Sequence, residues 1–425
     1  MPLHYQKLNG FSSITDTFTS LFGNLTNCFW LDRETHLTSR FSVIGSGVPT
    51  DSANTTAIIE IEQDLPFDFR PHLLGVLHYA EELAGELKGD FLQVDRAVVF
   101  DHDNRVMFFL GRFDSREDFD NWYHAALLRM AIIGGEGLNY QLANDPASCF
   151  ELTAKTSKDS YLEKISTAQG HIASGEVYQL CLTTRLEGDY SGDPLSYFLR
   201  LRKTNPAPYS SFLRIGQLSY VSISPERFLE VSGNTALSSP IKGTRARSLD
   251  EAEDEALKLE LSTNPKERAE NLMIVDLIRN DLSVACEPAS ICVSGLFEVQ
   301  SYSTVHQLVS DVSGELLLGL SGFDVLRALF PGGSMTGAPK LRAIDLIGQL
   351  EDSPRAGYSG GIGWIGRDGA MDLGMVIRTA IFRDGRVSIG IGGGITSDSI
   401  PELEHQEIQL KAQALSRALG ARLHW

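Results

Sequence analysis

The sequence is short of cysteine, of basic residues and of long hydrophobic runs. Its 425 residues include five cysteines and no C-x-x-C pair, which excludes a disulfide framework and a structural zinc site of the usual spacing. Lys and Arg number 37 against 55 Asp and Glu, for a net charge of −18. A surface this acidic repels phosphate backbones, so we expect no nucleic-acid partner. No apolar run approaches the roughly 20 residues of a membrane-spanning helix.

The remaining composition is that of an ordinary globular protein. Hydrophobic residues make up 42% and charged residues 22%, which allows a large core and excludes a disordered chain. The start of the sequence lacks a basic segment followed by an apolar one, so we predict no signal peptide and a cytoplasmic location. A polar, glycine-rich stretch over 134–157 is the best linker, and it divides an N-terminal region, 1–145, from a larger domain, 150–425.

Hydrophobic periodicity predicts an α+β fold built mainly from antiparallel strands. Residues 56–62 read as a strand, and 97–100 with 106–110 read as a hairpin. Helices are predicted after Ser115, after a capping box that begins at Ser160, and at the prolines 265, 339 and 401. Strand patterns come in adjacent runs with helices between groups, which favours antiparallel sheets over a doubly wound parallel sheet.

Two predicted helices each carry a pair of glutamates one turn apart. Glu267 and Glu270 lie on the helix after Pro265, and Glu404 and Glu407 lie on the helix after Pro401. Like charges at this spacing disfavour a helix slightly, and a bound cation with hard oxygen ligands would remove that cost, which suits Mg²⁺. Solvated helix faces are the alternative, and the spacing alone favours that alternative.

Three further features could carry chemistry, each with an ordinary structural alternative. Lys242 lies in a small-residue turn, where a lowered pKa would make it a nucleophile, but the local sequence alone favours a surface lysine. The glycine-rich segment 330–340 leads into a helix and could bind an anion, although it lacks Walker spacing. Glycines 392–394 would let a ligand approach the backbone, and Arg378 nearby could hold a carboxylate.

The sequence 361–366 matches G-x-G-x-x-G, but a strand pattern follows it, so we predict no dinucleotide site.

Seven segments follow one another in a specific order: 224–228 (SPERF), 240–244 (PIKGT), 268–281 (RAENLMIVDLIRND), 305–306 (VH), 332–340 (GGSMTGAPK), 377–379 (IRT) and 392–394 (GGG). This order resembles the chorismate-utilising enzymes, a family that comprises anthranilate synthase component I, aminodeoxychorismate synthase component I, and the isochorismate and salicylate synthases. The resemblance is strong over 155–425 and weaker before it. It implies a large two-layered fold, like anthranilate synthase component I, with antiparallel sheets packed face to face and helices outside.

Two positions discriminate between branches of this family. Lys242 lies where anthranilate synthases typically carry alanine, and a lysine there marks the aminodeoxychorismate branch. Gln179 lies where the isochorismate and salicylate synthases carry a water-activating lysine, so those activities are disfavoured. The resemblance therefore implies amination of chorismate at C4, with anthranilate formation as the alternative enzyme. A non-catalytic relative that binds chorismate is a second alternative, and a Mg²⁺-dependent phosphoryl-transfer enzyme is a third.

The resemblance also implies a role for each candidate residue. Mg²⁺ would lie on Glu270 and Glu407, with Glu267 and Glu404 just outside or joined through water. Lys242 would be the nucleophile, Glu226 the general acid, and His306 would orient the ring or the leaving oxygen. The residues expected to bind substrate are Thr244, Thr336, Gly337, Tyr358, Arg378, Gly392, Gly393, Gly394 and Lys411. Because the sequence shows no glutaminase signature, ammonia would come from a separate glutamine amidotransferase subunit.

Overall fold

The computed structural model describes residues 1–37, 39–53, 65–79, 87–132 and 150–425. No helix in these ranges has the length and apolar character needed to cross a membrane. The described helices are α1 (Ile14–Leu21), α2 (Arg116–Ile132), α3 (Lys158–Ala173), α4 (Pro194–Thr204), α5 (Glu251–Thr263), α6 (Pro265–Leu282), α7 (Gly322–Leu329), α8 (Lys340–Leu350) and α9 (Pro401–Leu419). Two short 3₁₀ helices cover Pro288–Ser290 and Gly333–Met335.

Strands alternate with these helices along the whole described chain. In its first part they are β1 (Leu3–Leu8), β2 (Asn27–Asp32), β3 (Phe41–Ala53), β4 (Leu73–Leu77), β5 (Leu87–Asp101), β6 (Val106–Arg112) and β7 (Phe150–Ala154). The middle part contains β8 (Gln179–Asp189), β9 (Tyr209–Ile215), β10 (Leu218–Ser224), β11 (Arg227–Ser232), β12 (Thr235–Ser239), β13 (Ile241–Ala246), β14 (Cys292–Ser301) and β15 (Val305–Glu315). The last part contains β16 (Gly337–Ala338), β17 (Gly361–Ile365), β18 (Met371–Met375), β19 (Thr379–Arg383), β20 (Arg386–Ile395) and β21 (Ala421–His424).

The predicted α+β class is confirmed, with antiparallel pairing throughout the described strands except between β7 and β21. Hydrogen bonding links the described strands into one continuous sheet system. Strand β2 pairs with β9, and β4 pairs with β17. The N-terminal region therefore shares its sheet with the remainder of the chain, and the proposed division between 145 and 150 stays a prediction.

Three clusters of buried apolar side chains fill the interior. One is rich in aromatic rings, with the ring centre of Trp30 5.2 Å from those of Phe18 and Phe198. A second lies between α6, α7 and the strands around β11, and a third lies under the N-terminal strands. Helix α9 contributes the apolar face that its sequence predicts, since Ile408, Ala412, Leu415 and Leu419 are all fully buried.

Local signals in the sequence locate most helix ends. Asn264 caps α6 by accepting a hydrogen bond from the Glu267 amide at 3.1 Å, and Pro265 occupies the first helical position, as predicted. Pro401 opens α9, and Gly420 closes it with a left-handed backbone at φ +71°. The hairpin of β5 and β6 is confirmed. The segment 361–366 continues into a strand, β18, and no helix follows it, as expected.

Four local predictions are wrong in detail. Helix α3 is capped by Ser157, whose hydroxyl accepts from the Ser160 amide, so Ser160 lies inside the first turn. Pro339 is the residue before α8 rather than its first residue. The end of the proposed linker forms β7 and the cap of α3, while 134–149 and the strand predicted over 56–62 lie outside the described residues. Glycines 392–394 belong to β20 itself, because each pairs with a residue of β8.

The packing of α9 gives a stability prediction. Leu415→Ala removes a fully buried side chain and should lower the free energy of unfolding by about 2 to 5 kcal/mol. Leu410→Ala makes the same change on the same helix at a side chain that is 65% exposed, so we expect almost no effect. Urea unfolding of both variants measures the difference. Equal destabilisation would contradict the assignment of the buried face.

Candidate active site

The site lies on one face of the ladder between β8 and β20. Directly opposed residues of an antiparallel pair project to the same face, and alternate residues share it. Gly394 opposes Cys181, Gly392 opposes Thr183, and Gly390 opposes Arg185. Three glycines on this face of β20 therefore leave the strand backbone uncovered next to the side chains of β8. The candidate residues Lys242 and Tyr358 contact this uncovered backbone.

Lys242 reaches this surface from β13. The Lys242 Nζ lies 3.4 Å from where a Cβ would stand on Gly394. The pairing of β13 with β15 shifts register between Ile241 and Thr244, and Gly243 has φ +88°. A bulge of this kind turns the side chains next to it. Any side chain at position 243 would meet Leu261 and the carboxylate of Glu267, so the glycine after the lysine is required.

Glu226 occupies the turn between β10 and β11. The Ser334 hydroxyl donates to the Glu226 carboxylate at 2.7 Å. Burial raises the pKa of Glu226 to about 7, while that hydrogen bond and the charges of Lys242 and Arg378 oppose the shift. The carboxyl group is therefore poised to carry a proton near neutral pH, as a general acid must.

Arg378 and Lys242 are cations without anionic partners. Within the described ranges, no carboxylate forms an ion pair with either side chain, and no acceptor binds the Arg378 guanidinium. Arg378 has φ +49°, an unusual backbone for arginine, and lies in the bend before β19 rather than in a strand. Burial lowers the pKa of Arg378, and the nearby charge of Glu226 opposes that shift. Half-buried cations without an ion pair fit an anionic ligand.

The two glutamate pairs face each other from α6 and α9. Burial raises the pKa of Glu270; the charges of Lys242 and Lys266 oppose that shift, and the charges of Glu267 and Glu407 add to it. Burial raises the pKa of Glu407, but Lys411, which donates to this carboxylate at 2.8 Å, outweighs burial together with the charges of Lys242 and Lys266, so the pKa is lowered. Lys411 also donates to the Gly392 carbonyl at 2.9 Å. The site thus contains close carboxylates whose mutual repulsion a cation would relieve.

The outer glutamates are directed elsewhere. Glu267 lies 3.1 Å from the Arg245 guanidinium, and Glu404 accepts from the Ser399 hydroxyl at 2.8 Å. Across the part of the chain that the structure describes, no three His, Cys, Asp or Glu side chains gather as metal ligands do. The donor set that remains for Mg²⁺ is the carboxylates of Glu270 and Glu407, which are hard oxygen ligands of the type this ion prefers.

The family comparison agrees with this geometry. The chorismate binding enzyme family matches residues 62–417. This chain belongs to the chorismate binding enzymes. It is 39% identical over 378 residues to an aminodeoxychorismate synthase of Streptomyces griseus, covering 84% of this chain and 51% of the relative. It is 41% identical over 278 residues to aminodeoxychorismate synthase component 1 of Escherichia coli, covering 64% and 61%.

A solved structure of the same family has the same fold. Anthranilate synthase component I from Streptococcus pneumoniae superposes with a TM-score of 0.78 at 26% identity, covering 90% of this chain and 93% of that one. The chain spans about half the length of the first curated relatives that it matches. The fold predicted from the resemblance is therefore confirmed. Because the chain covers only about half of these longer relatives, their activity stays a proposal for this chain.

Several residues of this chorismate binding enzyme differ from their expected placement. Both nitrogens of His306 have protein partners, Nε2 with Asp254 at 3.0 Å and Nδ1 with Ser301 at 2.8 Å. The ring thus joins β15 to α5, and this geometry does not fit the expected contact with a substrate ring. The Thr336 hydroxyl donates to the Gly332 carbonyl at 3.1 Å, inside its own loop.

The other expected substrate contacts lie on or beside the same strands, with Gly393 on the opposite face of β20 from Gly392 and Gly394. Thr244 follows the bulge on β13, opposite Gln307. A side chain at Gly337 would strike the Gln179 carbonyl, so this glycine permits β16 to pair with β8. The ring of Tyr358 covers Gly390, and Gly393 lies toward Glu404 and Lys411.

Four residues that the sequence analysis did not assign to the site also shape it. Ser334 is hydrogen-bonded to Glu226, and the only sequence feature that could have indicated this role is its position in the glycine-rich segment 330–340. Gln179 is almost fully buried next to Gly394, and its Oε1 has no partner among the described residues. The buried pair Arg355–Glu351, at 2.6 Å, supports the β8 edge of the site, since Arg355 also donates to the Cys181 carbonyl. The sequence of this pair carries no distinguishing pattern.

The raised pKa of Glu226 predicts a pH dependence of stability. A carboxyl pKa raised from its usual 4.5 to about 7 stabilises the fold below pH 4.5, and this contribution disappears as the pH rises through 7. Between pH 5 and 8 the wild type should lose about 2 to 3 kcal/mol relative to Glu226→Gln, which stays neutral. Urea unfolding at the two pH values measures this loss.

The matched control is Glu402→Gln, a neutralisation of an exposed glutamate in the first turn of α9. This variant should follow the pH profile of the wild type. If Glu226→Gln followed that profile as well, the raised pKa would be refuted.

Proposed function

We propose that this chain converts chorismate and ammonia to 4-amino-4-deoxychorismate, the precursor of para-aminobenzoate and folate. The observation that carries the proposal is the Lys242 amine, which stands against the bare backbone of Gly394 without an ion pair, while its charge acts on the carboxyl of Glu226. A nucleophile and a proton donor thus face one ligand-sized surface. The aminodeoxychorismate synthases among the relatives support this choice over other reactions of the family.

The reaction proceeds by two displacements. Lys242 first loses a proton to water, and its free amine forms a bond to ring C2 while the double bonds shift and the C4 hydroxyl leaves as water with the proton from Glu226. Ammonia then forms a bond to C4 and gives one proton back to the Glu226 carboxylate, the double bonds shift back, and the bond between C2 and the lysine nitrogen breaks. The free amine is restored, and chorismate and ammonia have become aminodeoxychorismate and water. Holding the lysine at C2 converts one encounter into an intramolecular step and directs ammonia to C4.

The cations and glycines of the site bind the dianionic substrate. Arg378 has free donors in the planar arrangement that suits a carboxylate. Lys411, fixed by Glu407 and by the Gly392 carbonyl, offers a second positive charge. Mg²⁺ on Glu270 and Glu407 would neutralise carboxylate charge when bound. The Gln179 Oε1, buried and unpartnered in the described structure, is positioned to accept a hydrogen bond from ammonia.

We further propose that ammonia comes from a separate glutamine amidotransferase subunit and that the protein acts in the cytoplasm. The name component 1 of the Escherichia coli relative implies a second component for that protein. The unpaired site cations also suit a neutral nucleophile, because ammonium would be repelled from them.

Replacing the nucleophile tests the reaction. Lys242→Ala should lower formation of aminodeoxychorismate by on the order of 100-fold or more, because the tethered amine is lost. Chromatography of reactions with chorismate, Mg²⁺ and an ammonium salt identifies the product, and the exposed Lys203→Ala serves as the control. Intact-mass analysis of wild type with chorismate and no ammonia should show an adduct on Lys242. Unchanged product from Lys242→Ala, or anthranilate as the main wild-type product, would refute the mechanism.

Removing a metal ligand tests the proposed magnesium site. Glu270→Gln should raise the Mg²⁺ concentration required for half-maximal activity by about 10-fold or more, since an amide replaces a charged ligand. Calorimetric Mg²⁺ binding should weaken in parallel, and chelation of wild-type enzyme should abolish turnover. The control Glu402→Gln should behave as wild type. Full activity in the presence of a chelator would exclude the metal.

A further inference from the structure

A second cavity opens farther along the same sheet face, beyond the catalytic lysine. Its volume is about 260 Å³, and Gly390, Ser388 and Arg386 of β20 form part of its floor. Position 390 lies four residues from Gly394, or about 13 Å along a strand. Of the residues that we place in the reaction, in metal binding or in substrate binding, only Tyr358 lines this cavity. The cavity is therefore a chamber beside the reaction site and not part of it.

The wall between the two spaces is well defined. The Tyr358 ring covers Gly390, and the Glu351 carboxylate accepts from both the amide and the hydroxyl of Thr183 at 2.8 Å. Arg355 completes the wall by pairing with Glu351 and donating to the Met335 carbonyl at 2.6 Å. The polar groups of Glu351, Arg355 and Thr183 are hydrogen-bonded to one another. They therefore form a wall of the chamber on the side of Lys242.

The chamber carries an excess of positive charge in an acidic protein. Five of its lining residues are Lys or Arg, and three are Asp or Glu, whereas the whole chain has a net charge of −18. Arg383 and Arg386 stand directly opposite each other in the ladder of β19 and β20. Like charges in that arrangement are destabilising. Arg386 has Glu187 and Asp189 at 3.7 Å, but no carboxylate of the described chain forms an ion pair with Arg383.

The uncharged lining mixes threonine, serine and histidine with aromatic and aliphatic side chains. Tyr220 and Ile381 are directly paired on β10 and β19, and they continue the floor toward Tyr358. The hydroxyl of Tyr220 is already bound to Asp90 at 2.5 Å and the residue is 2% exposed, so only the edge of its ring that lines the cavity is available for packing. Drug-sized ligands occupy sites of roughly 300 to 1,000 Å³, so this chamber takes a smaller molecule with an anionic end and a flat apolar body.

We propose that this chamber is a binding site for a small aromatic monocarboxylate, whose carboxylate meets Arg383 and Arg386 and whose ring packs on Tyr220, Ile381 and Tyr358. Arg383 has no ion-paired carboxylate among the described residues, and the two carboxylates next to Arg386 are 3.7 Å away, so both guanidinium groups have donors left for a ligand. Bidentate pairing with the carboxylate of a ligand relieves the opposition of the two charges. The ligand class is set by the chamber alone and does not depend on the reaction at Lys242.

Calorimetry with benzoate and 4-aminobenzoate tests the proposal on the full chain. We expect saturable binding of one equivalent by the wild type, and equally by Lys242→Ala without Mg²⁺, which separates this site from the proposed reaction. Arg383→Gln should raise the dissociation constant by at least about fivefold, because a charge-assisted hydrogen bond is lost. Arg383→Glu should abolish binding. The exposed arginine of β21 gives the control Arg422→Gln, which should bind as the wild type does.

Three results would overturn the proposal. Displacement of benzoate by chorismate in direct competition would place the ligand in the reaction site. Equal binding of acetate or inorganic phosphate would show a general anion site without a role for the aromatic floor. Unchanged binding by Arg383→Gln and Arg383→Glu, in variants whose thermal unfolding matches the wild type, would show that the chamber is not the site.

Discussion

The close approach of side chains to the bare backbone of β20 is the constraint on which this site depends. A Cβ at Gly390 would stand 2.2 Å from the Tyr358 ring, and one at Gly394 would stand 2.5 Å from the Gln179 amide. Neither contact is possible for a real side chain, so the strand keeps glycines although they weaken a sheet. The long pairing with β8, over ten residue pairs, compensates for that weakness and holds the surface in place. Lys242, Gln179 and Tyr358 therefore all contact the same face of β20.

Electrostatics then distinguish the interior of the site from the surface of the protein. The chain as a whole is strongly acidic, yet Lys242 and Arg378 are half-buried and form no ion pair in the described structure. Removing such charge from water is costly, and Arg378 adds an unusual backbone angle. Such costs are tolerated where a ligand supplies the missing charge. The carboxyl of Glu226 belongs to the same arrangement, because burial keeps its proton within reach of neutral pH.

Much of the fold could be predicted from local patterns, and the site only in part. Proline and asparagine at α6, and the spacing of leucines on α9, identify those helices because caps and buried faces are local properties. The capping box predicted from Ser160 is wrong, because Ser157, three residues earlier, caps α3. The partner of His306 is Asp254, 52 residues away, and no spacing rule finds such a contact. The glycines of β20 look like a loop until the pairing with β8 is known.

The groups of the site are carried by two kinds of element, which bears on how the protein could be altered. Lys242 extends from a strand, and Glu226 occupies a tight turn between two strands, so their positions are set by a rigid hydrogen-bonded frame. Glu270, Glu407 and Lys411 lie on helices, and α9 is anchored mainly through its buried apolar face. Small shifts of a helix cost less than a change of strand register. Affinity for charged ligands could therefore evolve through α6 and α9 while the spacing of the bond-making groups stayed fixed.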